Sequence, residues 1–351
     1  MSTLDLVRLL DLRLPLVQAP MAGVSTPELA AAVSNAGGLG SIGIGASPVA
    51  AAQRMIEETR ARTSRPFNVN VFNHRAAVRD PVLESRWIAH LAPLFAEFGA
   101  TPPTSLKEIY KGFGGDEELF QMLLAERPPV ISFHFGLPTP ERLAAFKAAG
   151  IRTMATATNP REARLVERAG IDVVVAQGTE AGGHRGLFEP EERDPALSMA
   201  VLVRLLAREA RRPVIAAGGI MDEAGIRAAL ALGASGVQMG TAFVLCPESA
   251  ADAGYRAAMQ SARAFETRMT AAISGRPARG LPNRLVAAGD DARDLAIPAY
   301  PVCYDVSKSL HAAAKAKGCD DFGAHWAGQG APLAEALPAG ELVAKLERAF
   351  E

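Results

Sequence analysis

The chain has 351 residues, and its 37 lysines and arginines against 38 aspartates and glutamates leave a formal charge of −1. This length allows two domains of about 150 residues each, or one α/β barrel of about 250 residues with an insertion. The near-neutral charge gives no reason to expect a nucleic-acid or membrane partner, and no apolar run reaches the ~18 residues that a membrane span needs. Three cysteines without CxxC spacing predict neither a disulfide framework nor a zinc site. We expect a cytoplasmic α/β protein, either a monomer or a small homo-oligomer.

Eight short apolar runs alternate with longer helical patterns through the first 245 residues. The runs are rich in valine and isoleucine or almost continuously apolar, which is typical of parallel strands covered on both faces. They are Pro15–Met21, Leu39–Ile44, Pro66–Phe72, Val130–Gly136, Arg152–Thr156, Asp172–Gln177, Pro213–Ala217 and Gly236–Gly240. The alternation predicts a TIM (β/α)8 barrel. A doubly wound open sheet is the alternative, because the number of strands alone does not prove closure.

Two segments depart from the strand–helix repeat. Residues 73–128 are too long for one helix and predict an elaborated third connection, whereas residues 246–310 mix helical patterns with pieces rich in glycine and proline. The predicted organisation is a barrel over 1–245, a cap or substrate-binding segment over 246–310 after the eighth strand, and C-terminal helices over 311–351 that complete the barrel.

In such a barrel the functional site lies at the carboxyl ends of the strands. The seventh strand ends at Gly218-Gly219 and the eighth at Gln238-Met239-Gly240-Thr241. Loops after these two strands often bind phosphate through backbone N–H groups, which glycine leaves accessible. A simple tight turn would explain Gly218-Gly219 alone. Two such elements after consecutive strands favour a phosphate site.

Other strand ends carry side chains that suit a flat ring system. Asn70 and Gln177 are neutral amides, and Met21 offers an apolar wall, so that together with a phosphate anchor they suit flavin mononucleotide (FMN). Taken singly, each could be a polar residue that merely satisfies a strand end. His184 lies in a glycine-flanked loop that begins at Gly182. The small neighbouring residues favour an imidazole that faces a ligand, where it would act as a base or bind an anion. His134 is expected in the core or in the pocket lining.

The end of the predicted cap carries Tyr300, Tyr304 and Lys308 close together in the sequence. Their hydroxyl and ammonium groups could hold a small anion over the flavin, although the residues taken alone favour a packed loop with a surface lysine. Cys246 and Cys303 are expected to be small buried residues. None of the other histidines has a carboxylate or cysteine grouping that suggests a metal.

At these residues the chain resembles the class I nitronate monooxygenases, formerly called 2-nitropropane dioxygenases. The resemblance covers nearly the whole length and rests on four stretches: Gln18–Gly45, Gly178–Gly186, Ala216–Phe243 and Tyr300–Ala314. The first three are shared with a wider superfamily of flavin barrels, whereas the fourth is more specific to class I.

The resemblance implies a set of FMN-binding positions, an active-site histidine at His184, and substrate binding by His184, Tyr300, Tyr304 and Lys308. The family often has a small residue at the position of Asn68. The asparagine there leaves open whether Asn68 or Asn70 faces the flavin, and we assign this role to Asn70. The cofactor-binding positions are Met21, Asn70, Gln177, Gly182, Gly218, Gly219, Gln238, Met239, Gly240 and Thr241.

The implied reaction is the oxidation of an alkyl nitronate by O2, through an anionic flavosemiquinone, to an aldehyde or ketone plus nitrite. For class I the implied substrate is propionate 3-nitronate and the implied role is detoxification. His184 would act as a base only if neutral nitroalkanes are also used. The alternatives are an FMN-dependent NAD(P)H reductase of the enoyl-acyl-carrier-protein or quinone reductase type on the same barrel and, more remotely, a non-catalytic flavin-binding protein.

Overall fold

The computed structural model describes residues 2–292 and 295–351, and eleven strands lie in these ranges. They are β1 (Leu16–Gln18), β2 (Gly40–Gly43), β3 (Phe67–Phe72), β4 (Val130–His134), β5 (Arg152–Ala157), β6 (Val173–Gln177), β7 (Gly183–His184), β8 (Val214–Ala217), β9 (Gly236–Met239), β10 (Arg268–Thr270) and β11 (Ala278–Gly280). Each of the eight predicted apolar runs coincides with one strand of the large parallel sheet, and only β5 extends beyond its run, by one residue.

The same ranges hold thirteen α-helices. They are α1 (Thr3–Leu10), α2 (Pro27–Asn35), α3 (Val49–Arg62), α4 (Pro81–Glu97), α5 (Glu117–Glu126), α6 (Pro140–Ala148), α7 (Pro160–Arg168), α8 (Met199–Ala207), α9 (Glu223–Ala231), α10 (Ala253–Met259), α11 (Arg284–Asp291), α12 (Cys303–Lys315) and α13 (Ala339–Leu346). None of them is long and apolar enough to span a membrane.

The parallel sheet closes into a barrel. Its strand order is β1-β9-β8-β6-β5-β4-β3-β2, and a parallel bridge between Val17 and Leu39 joins the two ends. The backbone N–H of Leu39 donates to the carbonyl of Leu16 at 2.8 Å, and the N–H of Gln18 donates to the carbonyl of Leu39 at 3.0 Å. These bonds confirm the predicted TIM barrel and exclude the open sheet.

The helices around the barrel begin where the sequence provides caps. Thr26, for example, accepts a hydrogen bond from the N–H of Leu29 at 2.9 Å, and Pro27 occupies the first turn of α2, where no backbone donor is needed. The eighth helix position is filled by α13, which packs against α2. Helix α1 supplies Leu6 and Leu10 to a core cluster at the amino-terminal ends of the strands. The carboxyl ends of the strands are therefore the open end of the barrel.

A second, smaller core lies over the barrel mouth. The hairpin β10–β11 pairs antiparallel with β7, and buried side chains of α4, α11 and α12 form one cluster around Trp87. Helix α12 begins at Cys303 and ends at Lys315, so the predicted boundary between residues 310 and 311 falls inside a helix. Because α4 shares this core, residues from the third connection also belong to the layer over the mouth.

Candidate active site

A cavity of about 530 Å³ lies at the carboxyl ends of the barrel strands, under this second core. Its size is in the range of small-molecule and cofactor pockets. The structure brings every candidate site residue named from the sequence to the lining of this one cavity. They are Met21, Asn70, Gln177, Gly182, His184, Gly218, Gly219, Gln238, Met239, Gly240, Thr241, Tyr300, Tyr304 and Lys308.

The two asparagines of β3 occupy different layers. Asn70 lines the cavity, and its Nδ2 donates to the hydroxyl of Ser132 at 2.9 Å and to the carbonyl of the same residue at 3.2 Å. Asn68 is fully buried below it and donates to Ser132 at 3.0 Å and to Ser41 at 3.1 Å. Asn70 is therefore the asparagine available to a ligand, and Asn68 supports Ser132 from beneath.

One end of the cavity is lined mainly by the backbone of glycines and small residues. Gly218 and Gly219 have φ angles of +118° and +71°, which side-chain-bearing residues rarely adopt, and they follow β8 directly. Thr241 opens a short 3₁₀ helix after β9 and accepts a hydrogen bond from the N–H of Gly328 at 3.0 Å, which leaves its own hydroxyl hydrogen free to be donated. This end suits an anionic group that binds to backbone N–H donors.

Gln177 holds the loop that carries His184. Its Nε2 donates to the carbonyl of His184 at 2.9 Å, and its Oε1 accepts from the N–H of Gly186 at 2.8 Å. The neighbouring Arg185 is almost fully buried, forms a two-point ion pair with Asp194 at 2.8 and 3.1 Å, and donates to the carbonyl of Gln177 at 2.9 Å. Since both ends of the Gln177 amide bind this loop, its main contribution in the structure is to position His184.

The His184 ring lies among aromatic side chains. Its Nε2 is 2.9 Å from Oγ of Ser274, and its centroid is 5.4 Å from that of Tyr300 and 5.3 Å from that of Trp326. Burial lowers the pKa of His184 well below its usual value, and neighbouring His134 acts in the same direction. The imidazole is therefore neutral around pH 7.

His134 also lines the cavity and is linked to the same loop. Its Nδ1 is 3.0 Å from Oγ1 of Thr156 and its Nε2 is 3.2 Å from the carbonyl oxygen of His184. Burial lowers the pKa of His134 to about 4. This residue is consequently a neutral part of the wall that connects β4 and β5 to the His184 loop.

The part of the wall next to His184 combines tyrosines with a lysine. Lys308 donates to the hydroxyl of Tyr110, and its Nζ lies 4.7 Å from the centroid of the Tyr110 ring and 5.6 Å from that of Tyr304. Tyr304 accepts a hydrogen bond from Trp326 Nε1 at 3.2 Å. Burial raises the pKa of both Tyr300 and Tyr304, so both phenols stay protonated and can donate hydrogen bonds. Lys308 itself is exposed at the mouth of the cavity.

Four contributors to this site were missed in the sequence. Tyr110 comes from the third connection, Ser274 from the turn before β11, and Trp326 and Gly328 from the segment after α12. The glycine-rich run around Gly328 was a usable signal, because it resembles the other glycine-rich turns of the cavity. Nothing in the sequence pattern around Tyr110 or Ser274 distinguishes them from ordinary loop residues. Cys246 and Cys303 are buried, as expected.

The architecture defines the class of this protein as a TIM barrel with a ligand-sized cavity at its mouth, the end where barrel enzymes carry their sites. Comparison with known proteins gives the family: the family model described as nitronate monooxygenase matches residues 5–348. Two relatives called nitronate monooxygenase are similar over nearly all of both chains. The one from Paraburkholderia phytofirmans is 56% identical over 343 residues, covering 98% of this chain and 94% of the relative, and the one from Pseudomonas aeruginosa is 57% identical over 339 residues, covering 97% of each. The chain belongs to the nitronate monooxygenase family.

Solved structures agree with this assignment. A nitroalkane oxidase from Streptomyces ansochromogenes has a TM-score of 0.89 and 39% identity, with 99% of each chain covered. FabK from Thermotoga maritima is more distant, with a TM-score of 0.75 and 30% identity over 99% of this chain and 95% of that one. The fold likeness thus extends beyond one family, whereas the sequence identity is higher to proteins named for nitronate or nitroalkane chemistry.

Proposed function

We propose that this protein is an FMN-dependent monooxygenase that oxidises alkyl nitronates with O2 to an aldehyde or ketone plus nitrite. The observation that carries the proposal is a single cavity that joins a glycine-lined end to a wall of His184, two protonated tyrosines and Lys308. The first part suits a flavin phosphate, and the second suits a small anion beside the flavin ring.

The lining residues fit FMN in size and chemistry. The cavity of about 530 Å³ has side-chain-free backbone at Gly218 and Gly219 for the phosphate, and the neutral amide of Asn70 for the ring edge. Gln238, Gly240 and Thr241 lie at the same end. When bound, the flavin supplies the electron-transfer and oxygen chemistry, while the protein sets orientation and electrostatics.

The chain's own residues then bind and orient the nitronate. Lys308 is an exposed cation in the cavity lining and would attract the anion, while Tyr300 and Tyr304 would donate hydrogen bonds to nitronate oxygens. Propionate 3-nitronate carries a carboxylate as well, which the exposed ammonium of Lys308 can pair with at the mouth. The second core, with α4, α11 and α12, would serve as the cap that limits access of water.

His184 can perform two different tasks. A nitronate is already deprotonated, so with that substrate a neutral His184 orients the anion and need not move a proton. With a neutral nitroalkane, the same neutral imidazole is available as the base that takes the α-proton, because burial has lowered its pKa. Comparing nitronate with nitroalkane substrates therefore separates orientation from base catalysis.

The visible spectrum of the purified protein tests the proposal directly. Under anaerobic conditions propionate 3-nitronate should change the flavin spectrum, whereas NADH and NADPH should leave it oxidised; admission of O2 should then restore the flavin and release nitrite. Bleaching by a nicotinamide, with the nitronate inert, would refute the proposal and establish the reductase instead. A flavin that responds to neither would identify a binding protein.

A substitution of His184 tests the residue assignment. His184→Asn should lower kcat by about tenfold or more and leave flavin bound, because the asparagine retains a hydrogen-bonding group but loses the imidazole. His90→Asn is the matched control, since His90 lies on α4 and bonds the carbonyl of Ala288 outside the cavity. An unchanged rate in His184→Asn would remove His184 from the mechanism.

A further inference from the structure

Three buried arginines lie near the His184 loop, and Arg276 differs from the other two. Arg185 is paired with Asp194, and Arg279 donates to the carbonyls of Thr179 and Thr267 at 2.9 and 3.1 Å. Arg276 is only 4% exposed, and its one described side-chain hydrogen bond is to the carbonyl of Leu187. Within residues 2–292 and 295–351, no carboxylate oxygen lies within 4.0 Å of it. A buried charge without a counter-charge destabilises the folded protein. We therefore expect Arg276 to have a functional role.

The guanidinium of Arg276 is held in place by an aromatic ring. Its Cζ lies 4.3 Å from the centroid of the Phe135 ring, which is within the range of a cation–π contact. Phe135 follows β4 with a φ angle of +72°, a left-handed conformation that a bulky residue rarely adopts. Such conformations concentrate at functional sites, where the surrounding structure enforces them.

The same ring connects Arg276 to the active-site side chains. The Phe135 centroid lies 5.6 Å from that of His184, 5.4 Å from that of Tyr300 and 4.4 Å from that of His134. The backbone provides a second connection, because the hydroxyl of Ser274 bonds the N–H and the carbonyl of Arg276 at 3.3 and 3.1 Å and also contacts His184. Arg276 is therefore directly behind the substrate wall without lining the cavity itself.

We propose that Arg276 does not touch the ligand but, from behind the wall formed by His184 and Tyr300, provides the positive electrostatic field that favours an anion in the cavity. The inference rests on the proposed function only in taking the ligand to be an anion. The groups that face His184 are His134, His74, Tyr300, Tyr304 and Arg276, and among these Arg276 alone carries a permanent charge. Burial lowers the pKa of Arg276 to about 10, which still leaves it charged at neutral pH.

The test compares charge-removing and charge-keeping variants in the full-length, flavin-loaded protein. Arg276→Gln removes the charge and Arg276→Lys keeps it at neutral pH, while Arg279→Gln removes the charge of another buried arginine, which does not contribute to the low pKa of His184. The first readout is a histidine-selective NMR titration, with the His184 signal assigned from the His184→Asn variant. Arg276→Gln should raise the pKa of His184 by about one unit, because a like charge that disfavours the imidazolium is gone. Arg279→Gln and Arg276→Lys should leave it near the wild-type value.

The second readout is the binding of nitrite, followed through the flavin absorbance, with neutral, planar acetamide as the comparison. Arg276→Gln should weaken nitrite binding about tenfold and leave acetamide binding unchanged. Neither readout requires turnover, so a protein that does not oxidise nitronates but shows these shifts would refute the proposed function and support the role of Arg276. If Arg276→Gln is folded and flavin-loaded and both readouts match the wild type, the role of Arg276 is refuted.

A further measurement applies if Arg276→Gln does not fold. Arg276→Lys places an ionisable amine in the same buried position, where burial lowers the pKa of a lysine. Nitrite binding by this variant should weaken as the pH rises and the lysine loses its proton, whereas the wild type should keep its affinity over the same range. Identical pH profiles of nitrite binding in the two proteins would overturn the inference.

Discussion

Nε2 of His184 lies 2.9 Å from Oγ of Ser274, and this contact ties the candidate catalytic ring to the turn before β11. Ser274 is fully buried and its hydroxyl also bonds the backbone of Arg276, so it cannot rotate freely. One hydrogen bond therefore fixes one edge of an imidazole whose other contacts are mostly with aromatic rings. The orientation of His184 thus depends on a residue outside the motif that carries it.

We expect Ser274→Ala to lower kcat for a nitronate by about fivefold, since a net hydrogen bond of this kind contributes roughly 1 kcal/mol. KM and flavin content should change little, because Ser274 does not line the cavity. Steady-state kinetics with propionate 3-nitronate measures this. Ser34→Ala is the matched control: Ser34 is equally buried, bonds the carbonyl of Pro66 at 2.8 Å, and belongs to α2 on the barrel wall. An equal loss of kcat in both variants would mean that Ser274 acts only through stability.

Lys308 is expected to act on capture of the anion more than on chemistry. Lys308→Met removes the ammonium at the mouth, next to the rings of Tyr110 and Tyr304. We expect kcat/KM for propionate 3-nitronate to fall about tenfold and to lose much of its dependence on ionic strength, because exposed charges act through a screened field. Lys317→Met, which removes an exposed lysine beyond the end of α12, should leave both unchanged. An unaltered salt dependence in Lys308→Met would contradict this role.

The sequence was sufficient for the barrel and for the glycine-rich part of the site, and the reasons are physical. Buried parallel strands leave continuous apolar runs, and in a barrel the residues directly after each run line the mouth, as Gly218 and Thr241 do. Tyr110 and Ser274 could not be found in this way, because they reach the site through the packing of irregular segments. The continuation of α12 across residue 310 was visible in principle, since Cys303, Val306 and Leu310 are spaced by three and four residues.

The pH dependence of protein stability should reveal the lowered pKa values of the buried histidines. Folding lowers the pKa of His134 from 6.5 to about 4, so on acidification the unfolded chain takes up a proton before the folded chain does. The stability that His134 contributes is therefore fully present above pH 6.5 and is lost between pH 6.5 and about 4. Thermal unfolding of the wild type should show Tm falling over this window. His134→Asn should show a shallower fall there and a parallel curve above pH 7; identical slopes in the acidic window would contradict the assignment.

Flavin binding should depend on Gly219 because this residue lines the cavity, and not only because its φ angle is positive. Gly219 and Gly150 have nearly the same φ angle, +71° and +77°, so an alanine at either position carries similar strain of about 1 kcal/mol or more. Gly219 lines the cavity, where an added Cβ would lie 3.3 Å from Cβ of Glu180, whereas Gly150 ends α6 with open space around it.

We therefore expect both variants to lower Tm, Gly219→Ala by more because of its contact with Glu180, but only Gly219→Ala to raise the Kd for FMN, by about tenfold or more. Reconstitution of the deflavinated proteins with FMN, followed by fluorescence quenching, measures the Kd. The added methyl group of Gly219→Ala would keep a phosphate from close approach to the backbone N–H groups that follow β8. Equal affinity in the two variants would mean that the phosphate binds elsewhere in the cavity, and the assignment of this end to FMN would have to be abandoned.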